Sequence, residues 1–180
     1  WAVDPALVQR LYSYYCELMR WNERISLVAR GDVETVVERH FVESLAAVPM
    51  VPEGARSLLD VGSGGGFPGL VLAAVLPGLD VTLVEARDRK WAFLKRAAAV
   101  AGIRANCVRA RIDVPGLRAE RCIPGRVDLI TIRAVRISMP VWQALTDRLS
   151  PTGRILAWAG RESPELPSPF LAVEEVLQGI

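Results

Sequence analysis

Two acidic residues and a dense run of glycines carry the clearest chemical signal in the sequence. Four glycines occur within five positions, at 62, 64, 65 and 66, directly after the short apolar run 57–61. Asp60 lies near the end of that run, and Glu85 follows the next apolar run, 81–84. Glycines let a ligand approach the backbone N–H groups closely. A carboxylate at the tip of a second strand can accept both hydroxyl groups of a ribose. The pattern therefore predicts a nucleoside site.

The glycine spacing alone leaves more than one cofactor possible. Gly64, Gly66 and Gly69 also satisfy Gly-x-Gly-x-x-Gly, which is typical of dinucleotide sites in nicotinamide-dependent oxidoreductases. The loop after Val61 is long for that motif, and no Tyr-x-x-x-Lys pair follows it. The glycine-rich stretch can also be interpreted as a tight strand-to-helix turn that binds no ligand.

Alternating apolar segments indicate how these residues are positioned. We predict strands over 57–61, 80–85, 105–109, 127–133 and 153–159 and near 170–177, and helices over 68–76, 87–101 and 139–149. The segment 111–126 is predicted to be irregular. This order favours an α/β fold with a parallel sheet covered by helices on both faces. Ligands of such sheets bind at the carboxyl ends of the strands.

The N-terminal part has a different pattern. Asp4 and Pro5 begin a predicted amphipathic helix over 5–20, and Asp32 is predicted to cap a second helix over 33–48. His40, the one histidine, lies at the edge of that second helix, where a hydrogen-bonded structural role is expected. We divide the chain into an N-terminal helical extension, 1–52, and a single globular unit, 53–180.

Composition narrows the classes of protein. The chain has 180 residues, 51% of them apolar, but no apolar run near the ~20 residues of a membrane span. Its three cysteines lack Cys-x-x-Cys spacing, so neither a disulfide framework nor a metal site is predicted, and a cytoplasmic location is expected. The net charge of +2 is well short of a strongly basic nucleic-acid domain. Because residue 1 is Trp and not Met, residues before it are expected in the natural protein.

Several motifs together resemble one family. Asp-Val-Gly-Ser-Gly-Gly-Gly-Phe-Pro-Gly from Asp60 to Gly69 resembles the S-adenosyl-L-methionine motif of the bacterial RsmG (GidB) family, which methylates guanine N7 in small-subunit ribosomal RNA. Other motifs follow in the family's order: Trp21-Asn22, Arg39-His40-Phe41-Val42-Glu43-Ser44-Leu45, Lys90 through Leu94, Ala110-Arg111, Arg133-Ala134 and Gly153-Arg154. The resemblance implies a Rossmann-like class I S-adenosylmethionine-dependent methyltransferase.

The sequence departs from the family pattern at three places. Ser26-Leu27-Val28 replaces the usual Asn-Leu-Thr, and Ala159 stands where a lysine is common. The chain also ends at Ile180, before the family's final arginine-containing segment and last strand. We expect either a truncated C-terminus or the loss of part of an RNA-binding surface. An inactive methyltransferase-fold module that only binds RNA or protein is therefore also considered.

The resemblance implies roles for individual residues. Asp60, Gly62, Ser63, Gly64 and Phe67 are expected around the methionine and ribose of the cofactor, and Glu85 on the ribose hydroxyl groups. Ile112 and Asp113 are expected at the adenine. Arg133 and Arg111 are the expected catalytic residues, with Arg133 between the cofactor and the target base. A structural ion pair of Arg133 with Asp60 or Glu43 is the alternative. The implied partner is small-subunit ribosomal RNA, free or in the assembled subunit, and a monomer is expected.

The fourth strand argues against other methyl acceptors. Amino-group methyltransferases of nucleic acids place an Asn/Asp-Pro-Pro-aromatic segment here, whereas this chain has Ile132-Arg133-Ala134-Val135. Methylation of pyrimidine C5 requires an activated thiolate, and none of the cysteines has a suitable setting. Guanine N7 is already nucleophilic and needs alignment with the methyl group. Since arginine ordinarily grips both O6 and N7 of guanine, Arg133 or Arg111 is predicted to contact only O6 or a phosphate.

Overall fold

A computed structural model of the chain describes residues 4–119 and 121–158. Its centre is a five-stranded parallel sheet in the order β3-β2-β1-β4-β5. The strands are β1 (Ser57–Val61), β2 (Asp80–Glu85), β3 (Asn106–Arg109), β4 (Val127–Arg133) and β5 (Leu149–Trp158). The strand order reverses between β1 and β4, and a parallel sheet leaves a ligand crevice at such a point. The predicted α/β fold is confirmed.

Helices cover both faces of the sheet. On one face, α1 (Pro5–Asn22), α3 (Gly69–Val75) and α4 (Asp88–Ala101) enclose a core that includes Leu18, Leu58 and Phe93. On the other, α5 (Val114–Ala119) and α6 (Met139–Thr146) cover Leu59, Ile130 and their neighbours. Because successive strand residues point to opposite faces, the nearly continuous apolar runs of β1 and β4 supply both cores. The N-terminal helix shares a core with the sheet, while the division of the chain at residue 52 stays a prediction.

The segment 33–48 is not the continuous helix predicted from the sequence. A 3₁₀ turn at Arg30–Asp32 precedes this segment, which contains a π-helical turn at Val37–Val42 and the short α2 at Glu43–Leu45 and ends at the start of a second 3₁₀ turn, Val48–Met50. The Ser44 hydroxyl donates to the His40 carbonyl at 2.5 Å, and Pro49 has no N–H with which to continue a helix. Asp32 caps no helix; its carboxylate pairs with Arg39 at 2.9 Å. The π turn widens the backbone beside the site described below.

Residues 111–126 also differ from expectation, because they contain α5. Asp113 accepts a hydrogen bond from the Gly116 N–H at 2.7 Å, and Pro115 stands in the first turn, where its missing N–H costs nothing. Proline and glycine had indicated an irregular segment. The other predicted helices and strands agree with the structure to within a few residues, except that β5 begins four residues before the predicted start at 153. The strand predicted near 170–177 lies outside the described residues.

Candidate active site

A pocket of about 490 Å³ opens at the carboxyl ends of β1, β2 and β4. The glycine loop after β1 lines one side, and residues 133–136 after β4 line the opposite side. Glu85 to Arg87 and Lys90 close a third side, while Leu27 and His40 come from the N-terminal extension. The crevice predicted at the reversal of strand order thus contains the candidate site.

Backbone hydrogen bonds hold the glycine loop over the sheet. The N–H groups of Gly62 and Ser63 both donate to the Val84 carbonyl, at 2.8 and 3.0 Å. Gly62 has φ +75°, and a Cβ there would lie 2.3 Å from Cγ2 of Val135. Glycine is therefore required both for the backbone turn and for the narrow space between the two sides of the pocket. The loop forms a cradle open to a ligand.

Glu85 is buried at the tip of β2 and faces the pocket. Its Oε2 accepts from the Gly64 N–H at 2.9 Å, and its Oε1 accepts from the Arg87 N–H at 2.8 Å. A carboxylate has about four acceptor positions, so each oxygen keeps capacity for one more donor. Glu85 thus fixes the glycine loop and retains the two acceptors that a ribose diol requires.

Asp60 lies beneath the glycine loop and is not among the residues lining the pocket. Its Oδ1 accepts from the Thr131 hydroxyl at 2.6 Å, since Asp60 and Thr131 are register partners of β1 and β4. Among the described residues, Oδ2 has no partner of good hydrogen-bond geometry, although the Gly69 N–H at the start of α3 is near enough to lower the carboxyl pKa. Burial outweighs these contacts and raises the pKa of Asp60 to about 6. Its side chain is placed to support the loop from below.

Ser63 and Phe67 complete the loop side of the pocket. The Ser63 hydroxyl donates to the Asp60 carbonyl at 3.1 Å, which ties the loop to the end of β1. Phe67 lies in an aromatic cluster with Tyr14 and Phe41, and its ring stacks on His40 with centroids 5.0 Å apart. Both residues line the pocket, and their contact with the cofactor stays a prediction.

Arg133 links the β4 side of the pocket to the N-terminal extension. Its Nη2 donates to the Glu43 carboxylate and to the Arg39 carbonyl, so the ion pair considered from the sequence forms with Glu43. Its Nη1 is buried and has no partner among the described residues. Burial lowers the pKa of the Arg133 guanidinium, and Glu43 opposes that shift. The side chain is held by one nitrogen and carries a second, unpaired donor in a residue that lines the pocket.

His40 also lines the pocket, although a hydrogen-bonded structural role had been expected for it. Within the described part of the chain, neither ring nitrogen has a hydrogen-bond partner, and Nε2 lies 3.7 Å from the Asp32 carboxylate. Burial and the nearby Arg133 lower the pKa of His40 to about 4, so the imidazole is neutral at pH 7. A neutral ring can present one donor and one acceptor to a ligand.

The residues after β3 are only partly brought to the site. Ile112 lines the pocket, and its contact with adenine stays a prediction. The Asp113 side chain caps α5 through the Gly116 N–H. Arg111 is exposed and is not among the lining residues, so the structure does not bring it together with Arg133. The contact of Asp113 with adenine and a catalytic role for Arg111 stay predictions.

Tyr14 is a contributor whose role the sequence did not reveal. The sequence suggests only filler for the cluster Tyr12, Tyr14 and Tyr15, yet Tyr14 is fully buried and its hydroxyl donates to the Gly65 carbonyl at 2.5 Å. Burial raises the pKa of this phenol well above its ordinary value, so it stays a neutral donor. Helical spacing predicted Tyr15, not Tyr14, on the inward stripe of the helix, and no local signal linked Tyr14 to a loop 51 residues away.

The charge of the pocket rim is mainly positive. Arg87, Lys90, Arg133 and Arg136 line it, against the carboxylate of Glu85. Such a rim suits an anionic polymer beside a nucleoside. Within residues 4–119 and 121–158 there is no group of three His, Cys, Asp or Glu that could hold a metal ion. In the same residues, no helix is long and apolar enough to cross a membrane.

Comparison with known proteins gives the family. The family model for rRNA small subunit methyltransferase G (GidB) matches residues 7–166. The chain is 36% identical over 178 residues to ribosomal RNA small subunit methyltransferase G of Halorhodospira halophila, covering 97% of this chain and 81% of that protein. It is 39% identical over 178 residues to the protein of the same name from Myxococcus xanthus, covering 98% of this chain and 80% of the relative.

Solved structures give the same fold at low sequence identity. A putative O-methyltransferase from Klebsiella pneumoniae superposes with a TM-score of 0.58 at 18% identity, covering 97% of this chain and 74% of that one. This likeness concerns the fold, whereas the family match and the two relatives span nearly the whole sequence. The chain belongs to the rRNA small subunit methyltransferase G family.

Proposed function

We propose that the pocket holds S-adenosyl-L-methionine against the glycine loop and Glu85, and that Arg133 positions a guanine of ribosomal RNA on the opposite side. The chain is an S-adenosylmethionine-dependent methyltransferase of small-subunit ribosomal RNA that acts on guanine N7. Two observations support these residue roles: Glu85 has free acceptor positions beside the glycine loop, and Arg133 carries an unpaired buried donor on the other side of the pocket.

The residues present fit the cofactor. A Cβ at Gly62 would fill the cradle, and Glu85 keeps two acceptor positions for ribose hydroxyl groups. Ser63, Gly64 and Phe67 extend the same side, and Ile112 offers an apolar surface for adenine. When bound, S-adenosylmethionine supplies an electrophilic methyl group on its sulfonium. The nicotinamide alternative is set aside, because the matching family and relatives are methyltransferases.

The chemistry requires little from the protein beyond alignment. Guanine N7 carries a lone pair and no proton, so no side chain has to act as a general base. Arg133 is fixed by Glu43 and the Arg39 carbonyl, and its free Nη1 can donate to guanine O6 or to a phosphate while N7 stays open. Neutral His40 offers a further hydrogen bond at the same edge. Holding the base in a fixed orientation supplies much of the rate by proximity.

The role of Arg133 is tested by comparing three variants. Arg133→Ala should lower methyl transfer to unmodified small-subunit ribosomal RNA by roughly 100-fold, the scale for losing one preorganised donor. Its calorimetric affinity for S-adenosylmethionine should fall less than in Asp60→Ala, which removes support from beneath the loop. Arg148→Ala is the matched control, because Arg148 also donates two side-chain hydrogen bonds, in its case to the backbone carbonyls of Leu117 and Pro124, away from the pocket.

The product is identified as N7-methylguanine by mass spectrometry of the digested RNA. Equal losses of cofactor affinity in Arg133→Ala and Asp60→Ala would refute the positioning role of Arg133. A wild-type chain that binds the cofactor but methylates no RNA would instead support the inactive module. Parallel assays on free RNA and on assembled small subunits decide which of the two is the substrate. We further propose that the chain works as a monomer in the cytoplasm.

A further inference from the structure

A second depression lies between the C-terminal end of α1 and the helix α4. Its volume is about 430 Å³, and four arginines line it: Arg20, Arg24, Arg89 and Arg96. Glu17, Trp21 and Ile25 form the rest of its surface. We call these seven residues the arginine groove. None of them was assigned to the cofactor pocket, and the groove has no part in the methyl-transfer geometry described above.

Glu17 organises the arginine groove and neutralises only part of its charge. This carboxylate is buried, with 6% of its surface exposed. It accepts from the Trp21 indole at 2.8 Å and from Nε of Arg96 at 3.3 Å, and it lies 3.8 Å from Arg20. A buried carboxylate that holds two cations and an indole is a preorganised arrangement, in contrast to a set of freely moving surface side chains.

Arg24 and Arg89 remain unpaired. Within the described residues, neither guanidinium takes part in an ion pair or a side-chain hydrogen bond. Four arginines against one glutamate leave the groove with a charge of about +3. Guanidinium groups that are exposed, unpaired and close together favour a phosphate-bearing ligand, since each can donate two parallel hydrogen bonds.

The arginine groove is next to the cofactor pocket. In the first turn of α4, Arg89 lines the groove, whereas Arg87 just before the helix and Lys90 line the pocket. In the loop after α1, Ile25 lines the groove and Leu27 lines the pocket. Asn22 fixes that loop by accepting from the N–H groups of Leu27 and Val28, at 2.9 and 3.1 Å. The two depressions therefore share a wall built from the same two short segments.

We propose that the arginine groove binds the phosphodiester backbone of the substrate RNA beside the target nucleotide. The inference rests on the proposed function, because it extends the path of the strand whose guanine enters the pocket. A nucleic acid is favoured over an acidic protein because the groove shares its wall with a pocket that takes a nucleotide and that Arg87 and Lys90 also line. Contacts of this kind position the strand and carry no sequence specificity.

The test is a double variant that combines Arg24→Glu with Arg89→Glu, called the groove variant. The matched control is a double variant that combines Arg10→Glu with Arg126→Glu. Both variants change the net charge equally, and all four arginines are exposed, so folding should be preserved. Binding of a small-subunit ribosomal RNA fragment is measured at several salt concentrations, together with kcat, KM and calorimetric affinity for S-adenosylmethionine. The groove variant should raise KM for RNA about tenfold or more, with kcat at saturating RNA and cofactor affinity unchanged.

The salt dependence of RNA affinity distinguishes the loss of specific phosphate contacts from a change in net charge. Each lost phosphate contact on a single strand should make the slope of log K against log salt shallower by about 0.7, or about 1.4 for the pair. From about 50 to about 200 mM salt, the wild type should therefore lose roughly sevenfold more RNA affinity than the groove variant. The control should keep the wild-type slope.

Three results would overturn the proposal. The first is an equal effect of the groove and control variants, which would show that only overall charge matters. The second is unchanged RNA binding in the groove variant of an active enzyme; this would refute the groove alone and point to an acidic protein as its partner. The third is a wild-type chain that binds the cofactor but neither binds nor methylates the RNA, which would refute the proposed function itself.

Discussion

Replacing Glu85 with Gln should weaken S-adenosylmethionine binding without preventing folding. Both carboxylate oxygens of Glu85 accept a backbone N–H, from Gly64 at 2.9 Å and from Arg87 at 2.8 Å. A glutamine keeps one oxygen and replaces the other with an NH₂ group, which is a donor. That donor faces the N–H of either Gly64 or Arg87. The substitution thus removes one acceptor from the loop and one from the expected ribose contact.

The size of the effect follows from the strength of a hydrogen bond to a charged group. Such a bond contributes about 1.5–3 kcal/mol, so the calorimetric affinity for S-adenosylmethionine should fall by roughly 10- to 100-fold. Glu53→Gln is the matched control, because Glu53 is exposed and does not line the pocket. Thermal unfolding of the same preparations shows whether each variant is folded. An affinity for S-adenosylmethionine that stays within about twofold of the wild type in folded Glu85→Gln would refute the assignment of the ribose to Glu85.

Two further predictions concern the support beneath the glycine loop. Tyr14→Phe leaves the buried Gly65 carbonyl without its donor, so the free energy of unfolding measured by chemical denaturation should fall by about 1–3 kcal/mol. The control is Tyr12→Phe, because Tyr12 is exposed; it should change the free energy of unfolding by less than about 0.5 kcal/mol. Because the folded pKa of Asp60 is about 6 against an ordinary 3.8, the folded state holds this proton more tightly, and stability is lost as pH rises from about 4 to about 6. Asp60→Asn should remove up to about 3 kcal/mol of that pH dependence, and identical slopes in wild type and variant would contradict it.

The glycine loop and its flanking elements were predictable because their signals are local. An apolar run, a cluster of glycines and an apolar helix follow one another within about twenty residues, and each constrains its own backbone. Glu85 was predictable as well, because parallel strands end at the same edge of the sheet. These rules place side chains at the site without any knowledge of distant contacts.

Contacts between distant segments explain what the sequence missed. The Tyr14 hydroxyl reaches a carbonyl 51 residues away. Arg133 reaches Glu43 across 90 residues, a contact that the sequence offered only as one of two alternatives for an ion pair. No spacing rule connects such pairs. The π turn was missed for a related reason: its carbonyl at Arg39 bonds to Arg133, so its conformation is stabilised by a strand that follows much later in the chain.

Asp60, which the sequence singled out for the cofactor site, lies beneath the glycine loop and does not line the pocket. Its position near the end of β1 marks the site, but the pairing of β1 with β4 directs its carboxylate towards Thr131 and the start of α3. A sequence pattern gives the strand and its end, whereas the partner strand determines what the side chain contacts. Proximity to the pocket and contact with it are separate properties.

The N-terminal extension is part of the site in the described structure. Tyr14 anchors the glycine loop, Leu27 and His40 line the pocket, and Glu43 fixes Arg133 by one nitrogen so that the other stays unpaired. Each of these contacts joins the first 52 residues to the sheet. A boundary at residue 52 separates two patterns of sequence, but the pocket is built from both sides of it. The sheet supplies the cradle, and the extension supplies the orientation of the arginine that faces it.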